Sequence, residues 1–332
     1  MQHVNIPIFL PELACRHKCI FCNQNSISGT AEIPQPNEVE AIVNEHLASI
    51  KREALVEIAF FGGSFTGIDN ELQKRYLEQA FTFVKSGKVS GIRLSTRPDY
   101  ITDEILIQLK KYGVTAIELG AQSFDDVVLK RSARGHTAAQ IVSASTLIKK
   151  YNFELGLQMM IGLPFDSLER ALESAKKIVM AGANTTRIYP ALVIANTPLE
   201  KLYKSGHYKP LSLDEAVEWT AQIIPIFEAG NVNILRVGLH PSDEFEAGKA
   251  LLAGPYHASF KELVMSKMWR NRFESELLKE KGKLTISVAP EQINWAIGFG
   301  SSNKLWLKEQ YGWIKIIASN ELINNEFTFC YS

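Results

Sequence analysis

Three of the four cysteines, Cys15, Cys19 and Cys22, fall within eight residues at C-x3-C-x2-C spacing. Thiolates so close in one loop can converge on a single soft metal centre. Three ligands rather than four is the informative feature: a [4Fe–4S] cubane held by three cysteines leaves one iron open to a small molecule. A zinc knuckle wants a fourth ligand in C-x2-C or C-x2-H pairs. His17 and His3 are available, but the first cysteine gap is one residue too long for that pairing. Three clustered cysteines cannot pair evenly as disulfides, and a chain of this size does not need staples. Ile20 and Phe21 would shield a cluster from water, which suits iron–sulfur chemistry better than an exposed zinc loop. The iron–sulfur reading leads and zinc stands second.

A loop of this kind needs a frame. The 332 residues are enough for a barrel-sized domain with a small appendage, and a hydrophobic share of 46% is ordinary for a protein with a substantial core. Lys+Arg and Asp+Glu both total 36, so the bulk charge gives no push toward nucleic acid or membrane, although a local basic groove is compatible with it. Few cysteines, mostly clustered, imply a reducing compartment, and with no leader and no membrane-length apolar run the expected location is the cytoplasm.

Along the chain, apolar strands alternate with helices. Strands are expected at Val4–Leu10, Val56–Phe61, Gly91–Ser95, Thr115–Gly120, Glu154–Gly162, Thr185–Pro190 and Asn231–Val237. Helices are expected at Asn37–Ile50, Glu71–Val84, Asp103–Lys111, Thr137–Lys149, Ser167–Met180 and Leu213–Phe227. Near-continuous apolar strands separated by helices predict a parallel sheet covered by helices. Six or seven βα units fall short of the eight of a closed TIM barrel. The fold class expected is therefore α/β, a partial (β/α)6-like parallel barrel over residues 1–237. A helical linker (238–282) with a long helix near Ser259–Lys279 follows, then a small α/β domain (283–332). The unusual residues collect at strand C-termini, where such folds place their chemistry.

A cluster with an open iron is useful to a molecule that chelates it through an amino group and a carboxylate, as S-adenosylmethionine does. C-x3-C-x-F-C after a first strand, with Gly62-Gly63 after the second, strongly resembles the radical S-adenosylmethionine (radical SAM) superfamily. STRPDY, LGAQSFDDVVLKRSARGHT, MMIGLP and RIYPALVIANTPLEKLYKSGHYKPLSLDEAVE narrow the resemblance to the radical domain of the Elongator catalytic subunit, a tRNA wobble-uridine modifying enzyme. It covers roughly the first 235 residues. Oxygen-independent coproporphyrinogen oxidase is similar at greater distance.

The resemblance implies roles. Cys15, Cys19 and Cys22 would hold the cluster, with Phe21 beside the cofactor. The Gly62-Gly63-Ser64 turn would hold the amino group of S-adenosylmethionine, Arg134 its carboxylate, Gln122 its ribose or methionine part, and Gln158 its ribose. Each has a plainer reading: a tight βα turn, a solvated loop charge, a structural hydrogen bond. Ser95 stands where Elongator-like sequences carry an acid, so one cofactor contact is altered or lost. No acetyltransferase-like domain follows, so that half of Elongator's reaction is not carried over. Tyr189, ending the sixth strand, is the candidate for positioning substrate or passing a hydrogen atom, with rim packing as its ordinary use. His136 is tied to the cofactor motif, while His240 and His257 flank the linker.

The tail, with a strand, two helices joined at Gly298-Phe299-Gly300-Ser301 and two more strands, resembles the KH RNA-binding fold, although serine replaces the last glycine of its GXXG loop. Lys304, Lys308 and Lys315 lie nearby, partly offset by Glu291 and Glu309, and a plain packing module is the alternative to RNA binding. Trp295, Trp306 and Trp313 read as core, and Cys330 as a packed strand residue. The reading is a radical SAM enzyme with a [4Fe–4S] cluster and S-adenosylmethionine as cofactors. It would form a 5′-deoxyadenosyl radical for RNA modification, tRNA favoured, with flavodoxin or ferredoxin as reductant and no membrane partner. The alternatives are a radical SAM enzyme acting on a small molecule such as a tetrapyrrole, and a non-catalytic zinc- or cluster-bearing RNA-binding or assembly protein.

Overall fold

The computed structural model describes residues 2–11, 19–23, 33–50, 54–239, 250–277 and 282–332. Cys15, His17 and His240 lie outside the described residues. Contacts divide the chain into two units, Met1–Ser212 with Ile226–Pro255, and Leu213–Pro225 with Tyr256–Ser332.

The first unit holds β1 (Gln2–Phe9), α1 (Val39–Ser49), β2 (Ala54–Phe61), α2 (Asn70–Lys85), β3 (Gly91–Thr96), α3 (Asp103–Lys111) and β4 (Val114–Gln122). After these come α4 (Asp126–Arg131), α5 (Ala138–Lys150), β5 (Glu154–Ile161), α6 (Leu168–Met180), β6 (Thr185–Pro190), β7 (Val193–Ile194) and α7 (Pro198–Lys204). Helix α8 (Leu213–Ala229) is shared between the units, which divide at Pro225, a residue that cannot donate to the helical ladder. β8 (Asn233–Val237) and β9 (Leu251–Ala253) complete the first unit.

Seven of these strands form one sheet in the order β1-β2-β3-β4-β5-β6-β8, and every neighbouring pair is parallel. Sequential parallel order needs a crossover after each strand, and α1, α2, α3, α5, α6 and α8 supply them. The expected partial barrel is what forms, and its sheet holds the seven strands expected. A two-stranded ribbon of β7 and β9 stands outside the sheet. Ile6, Ile8, Ile58, Ile92, Leu94, Ile117, Leu155 and Leu157 are buried, so the sheet carries apolar surface under its helices. Polar side chains fix helix starts: Asp69 accepts from the Glu71 and Leu72 amides, Thr102 from Ile105 and Ser167 from Arg170. Each such cap is worth about 1 kcal/mol.

Two short helices were not expected. α4 spans six residues, too few for an apolar period, and is started by Asp125 accepting from Val127 and Val128. α7 did carry a start signal, with Thr197 as cap, Pro198 in the first turn and Glu200 just after.

The second unit contains α9 (Phe260–Glu276), β10 (Gly282–Val288), α10 (Ile293–Ile297), α11 (Ser302–Tyr311), β11 (Gly312–Ala318) and β12 (Phe327–Tyr331). β10 lies centrally, parallel to β11 and antiparallel to β12. Trp269, Phe273 and Leu277 pack with Leu284, Ile286, Val288, Ala296, Leu307 and Tyr311 in one core. The helix assigned to the linker is therefore a core element of this unit.

Strand alternation corrects two further expectations. Ile314 and Ile316 pack on that core, and so leave Trp313, 50% exposed, on the other face. Likewise Phe327, Phe329 and Tyr331 turn inward, and Cys330 is exposed. Trp295 and Trp306 do pack against the core.

Candidate cofactor site

The described residues among the predicted site positions lie on the C-terminal halves of the strands or in the segments beyond them. Cys19 is buried and Cys22 half-buried, joined in a turn by the Cys22 N–H donating to the Cys19 carbonyl at 3.1 Å. Ile20 donates to the Ser132 carbonyl at 3.3 Å and accepts from the Leu199 amide at 2.8 Å, and Asn23 donates to the Ala195 carbonyl at 3.2 Å. Cys19 and Phe21 share an apolar group with Val128, Leu163, Val193, Leu199 and Tyr208. The cysteine segment is thus anchored to the loops beyond β4, β5 and β6.

The turn after β2 braces the other end of that loop. Gly62 has φ +101°, and a Cβ there would sit 3.3 Å from the backbone nitrogens of Leu10 and Pro11. Both the backbone angle and the close approach call for glycine. The Leu10 amide donates to the Phe61 carbonyl at 2.7 Å, and Ser64 is buried at the start of the 3-10 turn Phe65–Gly67. Gly63 stands between them.

Arg134 touches the cysteine turn at Cys19. Its Nη1 donates to Cys19 Sγ at 2.9 Å and its Nη2 to the Gly120 carbonyl. Its Nε is buried and has no hydrogen-bond partner among the described residues. Gln122, buried with φ +69°, accepts from Gln158 Nε2 at 3.4 Å, which joins the tips of β4 and β5. Ser95 Oγ donates to the Phe60 carbonyl at 3.4 Å, a local use for the side chain that stands in place of the expected acid.

Behind Arg134 lies a support that sequence reasoning did not assign. Buried Arg97 grips Asp99 through two bonds, 2.9 and 3.0 Å, and donates to the Arg134 carbonyl at 2.5 Å. His136 is buried, with Nε2 3.3 Å from the Ala121 carbonyl and Nδ1 4.0 Å from Asp99. Burial first, then the charges of Arg134 and Arg97, push its pKa down to about 3, so the ring is neutral. His257 serves locally, accepting from the Ser259 amide at 3.0 Å.

Deeper in the sheet a chain of polar and charged side chains draws on five strands. His3 meets Glu57 at 2.7 Å, Glu57 meets Arg93 at 3.0 Å, Arg93 meets Glu118 at 3.3 Å, and Glu118 holds Arg187 at 2.6 and 3.1 Å. Burial works against the Arg187 charge, but the Glu118 hydrogen bond and charge, with a smaller contribution from Tyr189, hold its pKa above the ordinary range. Tyr189 is thereby linked to this chain. The signal was present in the sequence: Glu57, Arg93, Glu118 and Arg187 each interrupt an apolar strand, and a buried charge needs a partner.

The residues fit a cluster and its nucleotide. Cysteine sulfurs are the donor type an iron–sulfur centre uses. The unpartnered Arg134 Nε, on the side chain that touches Cys19, suits an anionic group placed there. Among the described residues no set of three metal-ligating side chains converges, Cys15, the first cysteine of the motif, being outside them.

In the second unit, the turn Gly298–Ser301 is held from one side. Phe299 N–H donates to Ser266 Oγ at 2.8 Å and Asn303 donates to the Ser266 carbonyl at 2.8 Å. Ser301, which stands where the GXXG loop has its last glycine, has φ +64°. The Phe299 backbone donor of this turn is thus already engaged.

A half-barrel of sequential parallel strands, with a cysteine turn anchored over its strand tips, is the build of an enzyme that works at the barrel mouth. The chain belongs to the radical SAM superfamily, whose family model matches residues 13–178, and the Radical_SAM C-terminal domain matches residues 183–270. It is an enzyme of that class. It is 28% identical over 244 residues to the tRNA uridine(34) acetyltransferase of Methanocaldococcus infernus, covering 61% of this chain and 46% of that protein. It is 35% identical over 155 residues to human Elongator complex protein 3, covering 46% of this chain and 27% of that protein. The chain spans less than half the length of these two relatives.

Among solved structures, the archaeal Methanocaldococcus infernus Elp3 superposes with a TM-score of 0.66 at 20% identity, over 84% of this chain and 69% of that one. Coproporphyrinogen III oxidase from Escherichia coli gives 0.50 at 14% identity, over 69% and 53%. Both likenesses concern the fold. No helix among the described residues is long and apolar enough to cross a membrane.

Proposed function

We propose that this protein is a cytoplasmic RNA-modifying radical SAM enzyme with a tRNA-type substrate. The observation that carries the chemistry is the contact of Arg134 with Cys19 beyond the strand tips, with Gln122 beside the same guanidinium at Gly120. The substrate class is supported by the relatives named as a tRNA uridine(34) acetyltransferase and Elongator complex protein 3.

Cys15, Cys19 and Cys22 would hold a [4Fe–4S] cluster. Loaded with the cluster and S-adenosylmethionine, and supplied with an electron by a flavodoxin- or ferredoxin-type donor, the site would supply a 5′-deoxyadenosyl radical that takes a hydrogen atom from substrate. The chain's own part is to bind and orient. Carbonyls of the Gly62-Gly63-Ser64 turn would receive the amino group, Arg134 would pair with the carboxylate, Gln122 would bind the ribose or methionine part, and Gln158 the ribose. Phe21 shields the site from water, Ser95 offers a neutral side chain where relatives place an acid, and Tyr189, steadied by Arg187, faces substrate.

Two measurements test this. Anaerobic reconstitution should give about four irons and four sulfides per chain, an EPR signal altered by S-adenosylmethionine, and 5′-deoxyadenosine on reduction. Bound zinc and no cleavage would refute the chemistry. Nucleosides of bulk tRNA and rRNA from cells with and without the protein, compared by mass spectrometry, should differ in at least one modified uridine or neighbour. An unchanged profile with an altered small-metabolite profile would move the substrate to the small-molecule class.

A further inference from the structure

Beside the cysteine turn, the rim carries an aromatic in a backbone conformation that aromatics rarely adopt. Phe165 follows Gly162-Leu163-Pro164 at the end of β5, has φ +66°, and is 57% exposed. A bulky side chain in the left-handed region is unusual, and here burial does not repay it. Two arginines hold it instead. The Arg131 guanidinium lies 4.3 Å from the ring centroid, and Arg170 donates to the Phe165 carbonyl while its Nε faces Asp125 at 3.5 Å. Strain of this kind, held by specific contacts, collects at working sites.

The location matters as much as the strain. Leu163, two residues before Phe165, packs with Cys19 and Phe21, as do Val128 of α4 and Leu199 of α7. Three rim segments therefore meet beside the cysteine turn. Their exposed side chains include Lys130, Arg131, Lys201, Tyr203 and Lys209. Of the acids on the same segments, Asp126 accepts from the Ala138 amide at 2.8 Å, Glu200 pairs with Lys204 at 2.6 Å, and Glu169 is exposed. Cations interleaved with aromatic rings are the combination that tracks a single-stranded nucleic acid, rings stacking bases and cations following phosphates.

We propose that Phe165 is a stacking platform for one unpaired base of the RNA substrate, with Arg131 placed at the neighbouring phosphate. The proposal rests on the RNA reading above and adds to it the residue that seats the strand beside the cysteine turn.

The test uses the full chain, fluorescein-labelled single-stranded RNA and unmodified tRNA, read by fluorescence anisotropy. Phe165→Leu keeps apolar bulk without a π-face and should weaken binding about tenfold to a hundredfold, while Phe165→Trp should bind as tightly as the parent or tighter. Phe165→Gly should weaken RNA binding like the leucine variant, yet hold or raise the unfolding midpoint, because glycine adopts the left-handed backbone without strain. Arg131→Gln should lower the slope of log affinity against log salt by about one. If the parent protein binds RNA and all Phe165 variants bind equally, the platform is overturned while the RNA reading stands. Equal losses in the leucine and tryptophan variants would also overturn it, since stacking separates the two. If the parent binds neither RNA, both readings fall together.

Discussion

Arg134 donates a hydrogen bond to Cys19 Sγ at 2.9 Å, joining side chains 115 residues apart in the chain. Two supports make that contact possible: Gly120 accepts from the same guanidinium, and Arg97 grips the Arg134 carbonyl. The arginine is thus fixed at its backbone and at its tip, with Nε left over.

Arg134→Lys should therefore fail to restore function. A lysine ammonium is a point charge and cannot serve Gly120 and a carboxylate together in the fixed geometry of a guanidinium. A hydrogen bond to a charged group contributes about 1.5–3 kcal/mol, so affinity of the reconstituted protein for S-adenosylmethionine should fall roughly tenfold to a hundredfold. Isothermal titration checks this, and an unchanged Kd would remove Arg134 from the cofactor site.

Glu118 stands between two arginines, with side-chain exposures of 6% for the acid, 3% for Arg93 and 16% for Arg187. Removing one partner of a buried pair leaves an uncompensated charge, at a cost of about 3–5 kcal/mol. Glu118→Gln should lower the denaturant midpoint accordingly, while Glu118→Gln with Arg187→Met should recover part of the loss. Two losses that simply add would show that the residues are not coupled.

His136 gives a pH signature. Its pKa is pushed down from 6.5 to about 3, so the unfolded chain takes up a proton at a pH where the folded one does not. Its contribution to stability is therefore complete above about pH 6.5 and is lost as pH falls from there toward 3. The ring resonances should stay those of a neutral imidazole from pH 8 down to pH 5, and His136→Asn should flatten the stability profile across that window. A titration midpoint near the ordinary histidine value would contradict the packing described.

The turn of the second unit separates two glycines. At Gly298 a Cβ would lie 2.6 Å from Ser302 Oγ and 2.7 Å from the Asn303 backbone nitrogen, with φ +86°, whereas at Gly300, φ +60°, it would meet open space. Gly300→Ala should carry only the left-handed backbone cost, about 1–2 kcal/mol, and Gly298→Ala clearly more. Chemical denaturation followed by tryptophan fluorescence distinguishes them, and equal costs would mean that the turn relaxes freely.

Much of this was legible beforehand because the relevant signals are local. The helix Asp103–Lys111 and the strand Thr185–Pro190 form over the residues expected, since apolar period and flanking turn residues act within a few positions. Shorter pieces such as α4 were missed because six residues hold no period. Trp313 was misassigned because composition alone says that tryptophan is buried, whereas the side it takes is set by which neighbours on β11 reach the core.

The sequence by itself determined the alternation of strands and helices, the cysteine spacing and the superfamily, all written in contiguous residues. Only the tertiary structure decided that Arg97 would brace Arg134, that Glu118 would bridge Arg93 and Arg187, and that Phe165 would stand strained at the rim. The physical reason is that such pairings depend on the register between parallel strands, and each strand reaches its neighbour only after a crossover whose packing no local window contains.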